Sequence, residues 1–117
     1  MSVIREKSFA FAVRIVRLCK ILNSELNEWV LSKQLLRSGT AIGALVREAE
    51  HAESRADFIH KMAIAQKETN EAAYWLELLH ATDYLSDKEF NSIIQDQIEI
   101  AKILASIIWT SKKNCKL

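Results

Sequence analysis

The chain contains no proline and only 2 glycines among its 117 residues. Sheet-rich folds need turn residues every ten positions or so, and that supply is missing. Excess charge of one sign is missing too: 16 Lys and Arg against 15 Asp and Glu leave a formal net charge of +1. Bulk electrostatics therefore draw the chain to neither nucleic acid nor a membrane, and any basic surface must come from local clustering. No apolar run approaches the ~18 residues of a membrane span. The opening segment carries Arg5, Lys7 and Arg14 around its apolar residues, which suits no signal peptide. Cysteine is scarce, with Cys19 and Cys115 alone. In an up-down-up-down bundle they lie roughly 20 Å apart, beyond disulfide reach. Two free thiols and a reducing, cytoplasmic setting are expected.

What is present is helical. Half of the residues are hydrophobic and a quarter charged, which is ordinary globular composition. Residues 1–117 fit one domain, able to bury roughly two-thirds of its unfolded surface without metal or disulfide. The expected fold is all-α: an antiparallel, up-down-up-down four-helix bundle. The first helix starts between Ser2 and Ser8 and runs to about Asn23. A loop over Asn23–Asn27 follows, with Asn27 capping the second helix and Glu28 well placed against its dipole. That helix runs to about His51 or Ala52. Ser54 and Asp57 resemble a capping box that opens a third helix, through Trp75 to about Thr82. Ser86 and Glu89 form the box of the fourth, with Leu85 stapled onto Phe90, and it continues to about Ser111. Loops this short force neighbouring helices antiparallel.

The apolar arcs are wider than one core requires. On the first helix Phe9, Phe11, Val13, Ile15, Val16, Leu18, Cys19 and Leu22 cover roughly 220° of the wheel. A core-facing helix needs about 100° or somewhat more. The fourth helix is similarly broad, from Phe90 and Ile93 through Ile98 and Leu104 to Ile108 and Trp109. One reading is a generously hydrophobic bundle; the sharper one is that part of each arc is a subunit interface.

Glu48-Ala49-Glu50-His51 and Glu77-Leu78-Leu79-His80 share the Glu-x-x-His spacing of di-iron bundles. Antiparallel packing puts His51 and His80 at opposite ends, roughly 35–40 Å apart, so no shared metal site forms. No metal is expected. His80 falls on the stripe of Met62, Thr69 and Leu76 and reads as a partly buried, hydrogen-bonded side chain, while His60 reads as surface. No Ser, Thr or Cys has a base placed for nucleophilic attack, so no catalytic residue, cofactor or enzymatic activity is expected.

Gly39 and Gly43 stand four apart inside the second helix, where each costs about 1 kcal/mol relative to alanine. Close approach of another helix backbone compensates for that cost. The pattern lacks the third glycine and the Lys-Ser/Thr pair of a phosphate loop. Lys7, Arg14 and Arg17 fall within about 80° on the first helix, with Lys20 further round the same flank. Arg37 and Arg47 on the second helix complete the basic set, Arg47 with glutamates near it in sequence. A charge row is usually a solvated face; it becomes a nucleic-acid surface when many such charges converge, which self-association would bring about.

The stretch from Leu35, LLRSGTAIGALVREAEHAESRADFIHKMAIAQKETNEAAYWLELL, resembles the four-helix bundle family of 23S rRNA intervening-sequence proteins. It is most similar to the branch that contains accessory variability determinants of diversity-generating retroelements. The residues that carry the resemblance are Arg37-Ser38-Gly39-Thr40, Ile42-Gly43-Ala44 and Glu48-Ala49. Ser54, Asp57-Phe58, Lys61, Ile64-Ala65, Lys67-Glu68, Glu71 and Tyr74-Trp75-Leu76 complete the set. Members more usually carry Asn where Leu45 stands. The resemblance implies a homopentameric barrel with basic surfaces, which in the retroelement branch binds a reverse transcriptase and nucleic acid. Arg37, Gly39 and Gly43 belong to the shared motif, whereas the basic residues of the first helix rest on the charge pattern alone. Two functions stay open: a nucleic-acid-binding oligomeric scaffold, and a protein-interaction adaptor that binds no nucleic acid.

Overall fold

Four helices account for nearly all of residues 2–114, the part of the chain that the computed structural model describes. They are α1 (Val3–Ser24), α2 (Val30–Ala49), α3 (Arg55–Ala81) and α4 (Asp87–Asn114). No strand occurs among the described residues. Cys115 lies outside them, and with it the expected Cys19–Cys115 separation.

Each helix starts where a side chain satisfies its orphan N–H groups. Ser2 opens α1 by accepting from the Arg5 N–H at 3.2 Å. Ser54 opens α3, its hydroxyl accepting from the Asp57 N–H at 3.0 Å. Asp57 is one methylene shorter than the usual Glu, and it accepts from the Glu53 N–H (3.2 Å). At α4 the box is reciprocal: Ser86 Oγ accepts from Glu89 N–H (3.1 Å), and Glu89 accepts from Ser86 N–H (2.8 Å). Leu85 is buried and half-buried Phe90 packs against the core.

The start of α2 differs from the expectation. Asn27 does not cap it; its backbone sits in the left-handed region at φ 52°, a conformation Asn tolerates better than most residues. That turn delivers Glu28 to the helix end, where its buried carboxylate accepts from Val30, Leu31 and Ser32 N–H groups at 2.6–3.0 Å. Glu28 is thus the cap as well as the favourable charge. Two ends also differ: α2 stops at Ala49, and α4 runs on to Asn114 rather than Ser111. Ser111 is still buried and no Gly or Pro interrupts the segment, so nothing stops the helix there.

The helices pack in a square, α1 against α2, α2 against α3, α3 against α4, and α4 back against α1. Pairings run in opposite directions across each seam. Ile15 faces Gly39 while Ser8 faces Gly43; Arg37 meets Glu68 while Glu48 meets Lys61. The α1/α4 seam is the most open of the four. One core joins all four helices, with Phe11, Ile15 and Leu22 packed among Leu35, Ile42, Leu76, Leu79, Ile100 and Leu104. Burying each such side chain contributes about 1.5–3 kcal/mol. Leu45, at the position where the family favours Asn, packs against this core as an ordinary hydrophobe. Gln97, like Ser111, is a buried polar residue on α4; its side-chain amide donates to the Thr69 carbonyl at 3.2 Å and ties α4 to α3.

Candidate surfaces for self-association and nucleic-acid binding

The α1 wheel splits into two parts in the fold. Phe11, Ile15, Cys19 and Leu22 enter the core, as do Ile4 and the hydroxyl-bearing Ser8. Phe9 (56% exposed) and Val16 (37%) do not; they lie outside, with half-buried Ala12 and Val13 between them. They are on the flank of α1 that faces α2, because the Arg47 guanidinium sits 5.3 Å from the centre of the Phe9 ring. Exposed Leu36 and Trp29 extend this apolar strip from the α2 side. α4 has its own surplus. Ile98 (38% exposed) and Trp109 (65%) are about 20° apart on the wheel. Asp96 and Glu99 reach α1 from one flank of α4, while Gln97 reaches α3 from the other. Ile98 and Trp109 stand on the α3 side, across the bundle from Phe9. Most of each wide arc read from the sequence is core, and only Phe9, Val16, Ile98 and Trp109 of the two arcs are exposed in the protomer.

The six basic residues are not gathered into one patch. Lys7 pairs with Glu99 at 3.0 Å, and Arg14 with Asp96 at 2.7 Å and with Ser92 Oγ at 3.0 Å. Both side chains lie across the α1/α4 seam and act as clasps. Arg37 is on the far side of α2, donating to Glu68 (3.1 Å) and Glu71 (2.5 Å). Glu71 also accepts from the Trp75 indole N–H at 3.0 Å; that bond, and then Arg37, holds its carboxyl below the usual range. This network binds α2 to α3. Arg47 lies over Phe9 and pairs with no carboxylate among the described residues, the glutamates near it in sequence included. That leaves Arg17 and Lys20, exposed and without a carboxylate within 4.0 Å among the described residues. Both border the Phe9–Val16 strip. Sequence reasoning missed Lys33, exposed on α2 beside Trp29 and Leu36, because a lone lysine gives no pattern on its own helix.

The glycines are both at the α1/α2 contact, but they differ. A Cβ on Gly39 would stand 2.9 Å from two carbons of the fully buried Ile15. One on Gly43 would meet Ser8 at 3.5 Å, an ordinary contact. Gly39 is tight against a side chain, whereas Gly43 is the one that faces the α1 backbone, at ordinary contact distance.

The remaining candidates for chemistry resolve into structure. His51 is in the turn before α3 and His80 in its last turn, so the length of α3 separates them. Among the described residues no three His, Cys, Asp or Glu side chains converge as metal ligands. His80 is half-buried, 2.7 Å from Asp87 and stacked on Phe90 with ring centres 4.3 Å apart. Cys19 is buried with its thiol 3.3 Å from the Ser32 carbonyl. Burial, and then the nearby Glu28 carboxylate, pushes it up to about 11. A thiol so placed is unreactive at neutral pH. No described helix is long and apolar enough to cross a membrane.

Comparison with known proteins agrees with this architecture. None of the curated proteins matches the chain. A solved structure from Bacteroides thetaiotaomicron, a protein of unknown function from the S23 ribosomal protein family, is 58% identical. It superposes with a TM-score of 0.90, covering 91% of this chain and 98% of its own. A family model described as 23S rRNA-intervening sequence protein matches residues 2–106. Neither description names a catalytic activity. On the strength of that match and that neighbour, the chain belongs to the 23S rRNA-intervening sequence protein family.

Proposed function

We propose that this protein is a non-enzymatic helical scaffold that closes into a homo-oligomeric ring and holds nucleic acid electrostatically. The observation that carries the reading is the placement of two uncompensated cations, Arg17 and Lys20, at the edge of an exposed apolar strip. A second apolar strip, Ile98 and Trp109, stands on the opposite face. Two different patches on opposite sides favour a head-to-tail contact, and such contacts generate rings when the rotation closes. Five subunits is the number that the family resemblance implies. A monomer of net charge +1 holds nucleic acid poorly, whereas a ring repeats each uncompensated cation around one axis. A name that refers to ribosomal RNA supports RNA as the ligand class. The retroelement resemblance supports a reverse transcriptase, with its own nucleic acid, as the protein partner.

Light scattering combined with binding of a labelled RNA at increasing salt tests the proposal. The expected result is an oligomer whose affinity falls steeply with salt concentration, insensitive to sequence. Reversing Arg14 and Arg17 together also breaks the clasp to Asp96; Arg17→Glu with Lys20→Glu is the cleaner pair. It should remove binding and leave the oligomer intact. A monomer at micromolar concentration overturns the ring. An intact oligomer that binds no RNA even at about 50 mM salt supports the alternative, a protein-interaction adaptor.

A further inference from the structure

The α1/α4 seam is the most open of the four. There a groove of about 570 Å³ runs between the second half of α1 and the first turns of α4. Leu18 and Ile21 from α1, Ile93 from α4 and Leu85 from the connection line it. Leu85 and Ile93 are buried, so they form a fixed floor, while Ile21 is 46% exposed along the wall. Arg14, Arg17 and Lys88 stand at the rim. The only carboxylate there, Glu89, is engaged by the Ser86 N–H, which with the Ser86 hydroxyl pulls its pKa below the usual range. Arg14 is neutralised by Asp96. Arg17 and Lys88 are not paired with a carboxylate among the described residues. Glu89 stays ionised, so the groove is apolar at its base and its rim carries two unpaired cations, Arg17 and Lys88, against one carboxylate.

Its shape selects among occupants. Small-molecule sites enclose most of their ligand, whereas this groove is open along its length. From Arg14 to Ile21 it extends roughly 10 Å, about two turns of a docked helix. Aliphatic residues on such a helix at i, i+3 or i+4, and i+7 would pack on exposed Ile21 and half-buried Leu18, above the floor of Leu85 and Ile93. Flanking acidic residues would meet Arg17 and Lys88. We infer that the α1/α4 groove is a docking site for an amphipathic helix of a partner protein with acidic residues beside its apolar stripe. This inference does not depend on the ring or on nucleic-acid binding. Apart from Arg17, which also borders the Phe9–Val16 strip, the residues that line the groove are not those assigned to self-association.

A fluorescein-labelled synthetic peptide of about 12 residues tests it, with leucines at i, i+4 and i+7 and glutamates on both flanks. A control peptide keeps the leucines and replaces each glutamate with lysine. Fluorescence anisotropy with the full chain should show saturable binding of the acidic peptide and affinity at least roughly tenfold lower for the lysine peptide. Ile21→Glu should weaken the acidic peptide roughly tenfold, and Lys88→Glu severalfold; circular dichroism and light scattering confirm that fold and assembly are kept. Equal binding of both peptides, or binding that neither variant changes, overturns the site. So does tight displacement of the peptide by dodecanoate, which would assign the groove to a small amphiphile. Failure of RNA binding with peptide binding intact would strike the proposed function and leave this inference standing.

Discussion

Gly39 lies so close to Ile15 that a single methyl group on it would come within 2.9 Å of two of that side chain's carbons. Ile15 is fully buried and β-branched, so it has no empty space to move into. Gly39→Ala gains about 1 kcal/mol of helix propensity and loses about 1–3 kcal/mol to overpacking. Net destabilisation of about 1 kcal/mol is expected. Gly43→Ala meets Ser8 at an ordinary 3.5 Å and should stabilise by up to about 1 kcal/mol. Denaturant midpoints moving in the same direction for both variants would refute the distinction.

Glu28 carries the start of α2. Replacing it with alanine leaves three partly or fully buried N–H groups without their acceptor and should cost about 2 kcal/mol. Asn27→Ala acts by another route, through the left-handed backbone, and should cost about 1 kcal/mol with the cap intact. Urea unfolding measures both. Equal, negligible losses would mean that the loop is held elsewhere.

Cys19 gives the fold an alkaline limit. Burial keeps its thiol neutral in the fold up to about pH 11, against 9.0 for an unburied thiol. A raised folded value means that the contribution is complete below the unfolded value and is lost as pH rises through the folded one. Stability should therefore fall between about pH 9 and 11, more steeply in the wild type than in Cys19→Ala. Parallel curves for the two proteins would contradict it. At pH 8 the Cys115→Ser variant, whose only thiol is Cys19, should react slowly with a thiol reagent until it is unfolded.

Self-association through two unlike faces makes a complementation test possible. Phe9→Ser with Val16→Ser damages one face, and Ile98→Ser with Trp109→Ser the other. Each variant alone should be monomeric at micromolar concentration. Mixed, they should form a dimer and nothing larger, since one intact face of each remains. A mixture that stays monomeric, or variants that assemble like wild type, would rule out the head-to-tail contact.

The bundle was legible in the sequence because helix boundaries are local. Ser54 with Asp57 and Ser86 with Glu89 satisfy N–H groups three residues away, and the structure keeps both caps. The broad apolar arc of α1 was readable by period, but not which of its residues enter the core: exposed Phe9 and Val16 stood in it, and buried Ile4 and Ser8 did not. The start of α2 was harder, because a left-handed Asn27 and a capping Glu28 look alike to an Asn cap followed by a favourable charge.

The surfaces are another matter. The row Lys7, Arg14, Arg17 and Lys20 is one flank on a wheel, but what a cation does depends on which carboxylate another helix brings to it. Asp96 and Glu99 lie more than eighty positions from Arg14 and Lys7, and they turn those two into clasps. Nothing on α1 shows which of its cations is left uncompensated. The sequence by itself determined four amphipathic helices, the caps of α3 and α4, and an apolar surplus too wide for one core. Only the tertiary structure decided that Arg17 and Lys20 remain unpaired, that Gly39 rather than Gly43 is the tight contact, and that the α1/α4 seam opens into a groove. Periodicity and capping act within a few residues of chain, whereas charge pairing and close approach depend on which segments packing makes neighbours.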